Sequence, residues 1–91
     1  MNVNRTEVLV LRIYVSPGCA GCRTAEELAD TVRRVRPAQP VELIDLAEHD
    51  GPMPEGLVGT PTYRLGKTTI ALGNPSLPEL LHHLDNHPDR G

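Results

Sequence analysis

The alternation of apolar and polar positions divides the chain into a strand–helix–strand unit followed by a strand–strand–helix unit. The first apolar run, Val8 to Val15, is nearly continuous and rich in β-branched residues, which predicts a strand covered on both faces of a sheet. A second strand is predicted over Val41–Leu46. Because a helix is predicted between these two strands, we expect them to pair in parallel.

The first helix is predicted from apolar residues that recur at three- and four-residue steps. These residues are Cys22, Ala25, Leu28, Ala29, Val32 and Val35. On the opposite face, acidic side chains come early and arginines come late, which is the order that the helix dipole favours. Pro37 and Pro40 mark the end of this helix.

The second half of the chain predicts a β-hairpin and a final helix. Two short runs, Thr62–Leu65 and Thr68–Leu72, flank a tight turn that begins with Gly66. In the final helix, Ser76 is expected to be the N-cap and Glu79 its capping-box partner. The apolar stripe of this helix consists of Leu77, Leu80, Leu81 and Leu84.

The predicted fold class is α/β, with the order β-α-β then β-β-α and a four-stranded mixed sheet flanked by helices. Residues 47–59 are rich in Gly and Pro, so at most a shortened middle helix fits there. Residues 1–91 are expected to form a single domain, in which residues 1–7 and 86–91 are frayed tails.

Composition and charge narrow the classes of partner. The chain has no Phe and no Trp, so bases have almost no aromatic rings to stack on, and its net charge of -3 offers no basic footprint for phosphate. We therefore expect no nucleic-acid partner. The eight-residue apolar run is too short to span a bilayer and carries no signal-peptide cleavage pattern. We expect a soluble, cytoplasmic monomer without a membrane partner.

The two cysteines of the chain, Cys19 and Cys22, carry its most specific chemical signal. They are separated by Ala20 and Gly21, follow a predicted buried strand and open a predicted helix, which is the context of redox-active pairs. With Cys19 at the helix start, free N–H groups and the helix dipole would favour its thiolate, and Arg23 would add a positive charge. Cys22 begins the apolar face and should be more buried. The sequence therefore assigns Cys19 as the nucleophile and Cys22 as the resolving thiol.

The same pair could instead bind a soft metal such as copper or zinc. Carriers of the ferredoxin-like β-α-β-β-α-β kind also place C-x-x-C between a strand and a helix. They need a strand after the last helix, where this chain has a polar segment containing Pro88. Spacing places no third ligand near the pair, so no metal is expected there. A further alternative is a catalytically silent adaptor that only presents a binding groove.

Two segments resemble the thioredoxin superfamily. IYVSPGCAGC is similar to the start of a glutaredoxin active site, where a proline, here Pro17, lies two residues before the first cysteine. The sequence GTPT at residues 59–62 is similar to the cis-proline segment of thioredoxins. The resemblance implies a thioredoxin-like fold and thiol–disulfide oxidoreductase activity. It also implies that Pro61 is cis and faces Cys19.

The resemblance further implies the surroundings of the cysteine pair. Pro17, Gly18, Thr60 and Pro61 would bind the substrate, with the Thr60 backbone pairing with an extended segment. The substrate would be a disulfide-containing protein or a small thiol compound, and a reductase or a low-molecular-weight thiol would supply electrons. No cofactor is implied. The chain departs from both subfamilies, because Gly18 stands where thioredoxins carry Trp and Ser16 stands where glutaredoxins usually carry Lys.

Overall fold

A computed structural model describes residues 8–48, 51 and 56–86 of the chain. The described residues form four strands and two helices in the predicted order. These are β1 (Leu11–Val15), α1 (Cys22–Val35), β2 (Val41–Asp45), β3 (Thr62–Leu65), β4 (Thr68–Leu72) and α2 (Leu77–Asn86). The last helix includes Asn86, the first residue of the predicted C-terminal tail. The rest of that tail and the whole predicted N-terminal tail lie outside the described residues.

The four strands form one mixed sheet in the order β2-β1-β3-β4. Strand β1 is parallel to β2, with Leu11 opposite Val41, and antiparallel to β3, with Leu11 opposite Leu65. Strands β3 and β4 are antiparallel and form the predicted hairpin. The parallel pairing expected from the intervening helix is confirmed, and the central position of β1 fits its nearly continuous apolar sequence.

Strand β1 begins later than predicted, because residues 8–10 are not part of the sheet. The backbone N–H of Leu11 donates to the carbonyl of Pro40 at 3.0 Å. Pro40 has no N–H with which to continue the parallel ladder, so the pairing stops there. The Leu9 carbonyl accepts instead from the side-chain amide of Gln39 at 2.7 Å.

The hydrophobic core lies on the face of the sheet that α1 and α2 cover. Its buried members are Leu11, Ile13, Val15, Cys22, Ala25, Ala29, Val32, Tyr63, Leu65, Leu80 and Leu84. The predicted stripe of α1 therefore faces the core, although Val35, its last residue, is exposed. The opposite face of β1 is covered only in part. Tyr14 is buried there, but Arg12 is partly exposed and forms an ion pair with Glu42 at 2.9 Å.

The capping box predicted at the start of α2 is confirmed. The backbone N–H of Glu79 donates to Ser76 Oγ at 3.2 Å, and the backbone N–H of Ser76 donates to Glu79 Oε1 at 3.1 Å. These two bonds satisfy backbone donors that a helix start leaves without intrahelical partners. The cap fixes the direction in which α2 leaves the segment after β4.

Gly66 begins the hairpin turn with a positive φ of 60°. A Cβ at this position would lie 3.1 Å from a side-chain carbon of Leu9. Both the left-handed backbone and the close packing therefore favour glycine at this position.

The described residues between β2 and β3 form turns and bends, and none of them is helical. The remaining residues of the predicted shortened middle helix, 49–50 and 52–55, lie outside the described part of the chain. Neither of the two helices in the described ranges is long and apolar enough to cross a membrane.

Candidate functional site

Cys19 and Cys22 are joined by a disulfide, and their Cα atoms lie 5.4 Å apart. Cys22 is only 6% exposed and belongs to the hydrophobic core, whereas Cys19 is half-buried at its margin. The expected difference in burial between the two cysteines is therefore present.

The helix begins later than the sequence analysis expected. Helix α1 starts at Cys22 with Gly21 as its N-cap, so Cys19 lies in the turn that precedes the helix. In this turn the N–H of Cys22 donates to the Cys19 carbonyl at 3.3 Å, and the N–H of Cys19 donates to the Ser16 carbonyl at 3.4 Å. Gly18 has a positive φ of 76°, and glycine is a poor helix former. The glycines of the segment therefore delay the helix until the second cysteine.

Pro61 lies directly beside the Cys-Ala-Gly-Cys turn. The Thr60–Pro61 peptide bond is cis, as the resemblance implies, and Pro61 is buried. A Cβ built on Gly21 would lie 3.5 Å from Pro61 Cδ, so the proline ring packs against the backbone between the two cysteines. The structure thus brings together two segments that are distant in sequence.

A pair of hydroxyl groups joins the same two segments. Ser16 Oγ and Thr60 Oγ1 lie 2.7 Å apart and form a part-buried hydrogen bond. In the sequence, Ser16 stands out only as a departure from glutaredoxins. Its partner could not be identified from the sequence, because the two residues are 44 positions apart.

Asn74 makes a second connection to the cysteine turn, and sequence reasoning missed it. Its Nδ2 donates to the Gly21 carbonyl at 2.9 Å, and its Oδ1 accepts from the Tyr63 hydroxyl at 2.6 Å. Tyr63 has no exposed surface, and desolvation by burial raises its pKa to about 12. The available signal was Tyr63 itself, since a buried tyrosine in an aliphatic core needs a hydrogen-bond partner.

The remaining residues assigned to the site lie around its rim. Pro17 and Gly18 are exposed before Cys19, and Arg23 is exposed on the first turn of α1. Thr60 is half-buried next to Pro61. The half-buried Cys19 is therefore flanked by residues that keep exposed surface.

An apolar depression adjoins the rim. Val58 is 81% exposed and Leu72 is 66% exposed, and both line a shallow depression of about 130 Å³ together with Thr60 and Pro61. They are the two most exposed large apolar side chains among the described residues. Neither residue stands out in the sequence.

The described residues contain no group of three or more His, Cys, Asp or Glu side chains that could hold a metal ion. His82 and His83 line a separate cleft of about 330 Å³ with Leu9 and Leu65, near the end of β1 that is opposite the cysteine turn. The arrangement of these residues therefore offers the cysteine pair no histidine ligand. No protein-family model matches the chain, and no curated protein matches its sequence significantly.

Proposed function

We propose that the chain is a thiol–disulfide oxidoreductase of thioredoxin-like fold that cycles Cys19 and Cys22 between a dithiol and a disulfide. The observation that carries the proposal is a bonded cysteine pair with unequal burial, half-buried at Cys19 and 6% exposed at Cys22. Further support comes from the position of Pro61 beside the pair and from the parallel pairing of β1 with β2. We place this activity in the cytoplasm and assign it to a monomer.

The reductive reaction begins at Cys19, the more accessible sulfur. Its thiolate attacks one sulfur of a substrate disulfide, a mixed disulfide forms, and the other substrate sulfur leaves as a thiolate. The thiolate of Cys22 then attacks the Cys19 sulfur. This step forms the Cys19–Cys22 disulfide and releases the second substrate sulfur, so two electrons have passed to the substrate. The proton of Cys22 passes to water.

Regeneration of the dithiol needs two electrons from outside the chain. A reductase or a low-molecular-weight thiol supplies them by the same exchange chemistry in the reverse direction. The chain's own residues provide the nucleophiles and a surface for the substrate, and the reaction uses no resident cofactor.

The substrate surface consists of the backbone at Thr60 and Pro61 and the neighbouring apolar side chains. An extended substrate segment pairs with the Thr60 backbone, and apolar side chains beside its cysteine contact Val58 and Leu72. This surface favours a protein disulfide as substrate, because a small thiol compound would reach little of it.

A redox titration tests the proposed function. The protein is equilibrated in glutathione buffers of graded ratio, free thiols are alkylated, and intact masses are measured. Both cysteines should lose reactivity together in one two-electron transition, and the Cys22→Ser variant should show only mixed disulfides with glutathione. A wild type whose two thiols behave independently, without an internal disulfide, would contradict the proposal.

A further inference from the structure

The Asn74 side chain links three parts of the fold at the cysteine turn. Its amide nitrogen bonds the carbonyl of Gly21, the N-cap of α1, and its amide oxygen bonds the hydroxyl of Tyr63 in β3. The Gly21 carbonyl belongs to the peptide bond that leads directly into Cys22. The same carbonyl also accepts from the N–H of Ala25 at 3.1 Å, which is the first intrahelical bond of α1.

The backbone before Asn74 is also fixed against the site. Gly73 has a positive φ of 85°, which turns the chain after β4, and its N–H donates to the Pro61 carbonyl at 2.8 Å. Residues 73 and 74 therefore contact both Pro61 and Gly21. The position of residues 73 and 74 is therefore fixed by two contacts together and not by either contact alone.

The identity of Gly21 follows from this contact. Its backbone, with φ of -96° and ψ of 1°, is open to other residues, so backbone conformation does not demand glycine here. A Cβ at Gly21 would, however, lie 2.9 Å from Asn74 Nδ2. Any larger residue would displace the Asn74 amide from the Gly21 carbonyl.

Tyr63 holds the other end of the amide. Its ring is fully buried in the core, so the hydroxyl has a fixed position, and Asn74 Oδ1 is the acceptor that satisfies it. The orientation of the Asn74 amide is thereby determined, with Nδ2 towards Gly21. The core of the protein is connected through one exposed side chain to the peptide between the cysteines.

We infer that Asn74 is a positioning residue for the resolving step. This inference rests on the proposed thiol–disulfide activity. By holding the Gly21–Cys22 peptide, it keeps the Cys22 sulfur aligned with the Cys19 sulfur while Cys19 carries a mixed disulfide. An intramolecular attack depends strongly on such alignment. Asn74 does not contact the sulfur atoms and acts through the backbone of Gly21.

The test uses a small aromatic disulfide, dithiobis(nitrobenzoate), and the reduced full-length protein. In the first step the Cys19 thiolate attacks the reagent, an aryl mixed disulfide forms on Cys19, and one nitrothiobenzoate leaves. In the second step the Cys22 thiolate attacks Cys19, the internal disulfide forms, and a second nitrothiobenzoate leaves. The reagent gains the two electrons that the dithiol loses. Only the first step depends on reagent concentration, so stopped-flow absorbance separates the two.

Asn74→Ala should slow the second step about fivefold relative to the first, as expected for the loss of one positioning hydrogen bond. The matched control is Asn86→Ala, which removes the same side chain from the far end of α2, where it bonds His82. This control should react within about twofold of the wild type at both steps. Tyr63→Phe, which keeps the buried ring, should slow the second step by a smaller factor.

Two further measurements distinguish positioning from general destabilisation. In Asn74→Ala, the equilibrium constant for forming the internal disulfide in glutathione buffers should fall, as the rate of the second step does. In Asn86→Ala, this equilibrium constant should stay unchanged. Gly21→Ala alone should slow the second step. Added to Asn74→Ala, it should slow that step no further, because the amide that the new Cβ would displace is already absent.

The outcomes separate this inference from the proposed function. Wild-type protein that takes up two aryl groups and closes no disulfide would overturn both. Closure in the wild type, with an unchanged second step in Asn74→Ala, would overturn the role of Asn74 alone. Equal slowing of both steps in Asn74→Ala would likewise count against positioning of Cys22.

Discussion

The hydroxyl groups of Ser16 and Thr60 lie 2.7 Å apart and join the segment that leads to Cys19 with the segment that leads to Pro61. Strands β1 and β3 pair as far as Tyr14 and Thr62, and the bond joins the two segments just beyond the end of that pairing. We expect it to fix the width of the gap between them, in which the proposed function places a substrate disulfide. It is also a side-chain contact whose removal leaves both cysteines intact.

Ser16→Ala should lower the free energy of unfolding by about 1 kcal/mol and slow the reduction of insulin disulfides. Thr69→Ala provides a matched control, because it also removes one side-chain hydrogen bond, to Arg64, at a cost of about 1 kcal/mol, but lies near the hairpin turn and leaves the gap unchanged. Urea denaturation measures the first effect and insulin reduction with dithiothreitol the second. Equal turnover by both variants would show that the Ser16–Thr60 bond serves stability alone.

Replacement of each cysteine should give unequal results. Cys22→Ser should accumulate about tenfold more mixed disulfide with protein substrates than Cys19→Ser, because the cysteine it retains is the less buried of the two. Non-reducing electrophoresis and mass spectrometry of the adducts would measure the ratio. If both variants trap substrates equally, the assignment of nucleophile and resolving thiol is wrong.

The exposed apolar side chain of Val58 allows a test of the substrate surface. Val58→Glu should slow insulin reduction several-fold, since a charge would enter the apolar depression beside Pro61. Val35→Glu is a matched control, because Val35 is also exposed but lies at the last residue of α1, about 20 Å along the helix from Cys22. Similar rates for the two variants would exclude Val58 from substrate contact.

The reduced protein should bind zinc only weakly. Two thiolates make half of a tetrahedral zinc site, and the described residues bring no cluster of three ligands together. Elemental analysis of protein purified without chelators should find far less than one equivalent of zinc. One-to-one zinc binding that blocks disulfide formation would instead favour a metal-binding role for the pair.

Tyr63 predicts a specific loss of stability at alkaline pH. Burial raises the pKa of Tyr63 from 10.0 to about 12, so above pH 10 the unfolded chain releases a proton that the folded chain keeps. The stabilising contribution is fully present below pH 10 and is lost as the pH rises to about 12. Across that range, the free energy of unfolding measured with urea should fall by about 2–3 kcal/mol more in the wild type than in Tyr63→Phe. Parallel stability curves would show that Tyr63 titrates normally in the folded state.

The elements that local sequence determines were predicted well. The capping box of Ser76 and Glu79 and the glycine turn at Gly66 depend on residues a few positions apart, and the structure contains both. The parallel pairing of β1 with β2 followed from the helix between them. The more buried position of Cys22 followed from the helical period of its apolar neighbours.

The features that were missed depend on contacts across the fold. Gly21 and Asn74 are 53 positions apart, and no local pattern indicates that an amide lies over the peptide before Cys22. The start of α1 was placed too early, because apolar spacing indicates which face of a helix is buried and not where its first turn begins. Strand β1 starts late because Pro40 lies opposite the first residues of the predicted strand. That placement could not be predicted without knowing the register of β1 and β2.

The disulfide between Cys19 and Cys22 closes a very short loop, with only two residues inside it. The entropy that a crosslink removes from the unfolded chain grows with the logarithm of the number of residues in the loop that it closes. This disulfide therefore removes little chain entropy compared with a crosslink between distant segments. The sheet ladders and the cap of α2 do not run through it. If the pair cycles as proposed, the storage and release of two electrons is a local event, and little of the energy of exchange is coupled to unfolding of the domain.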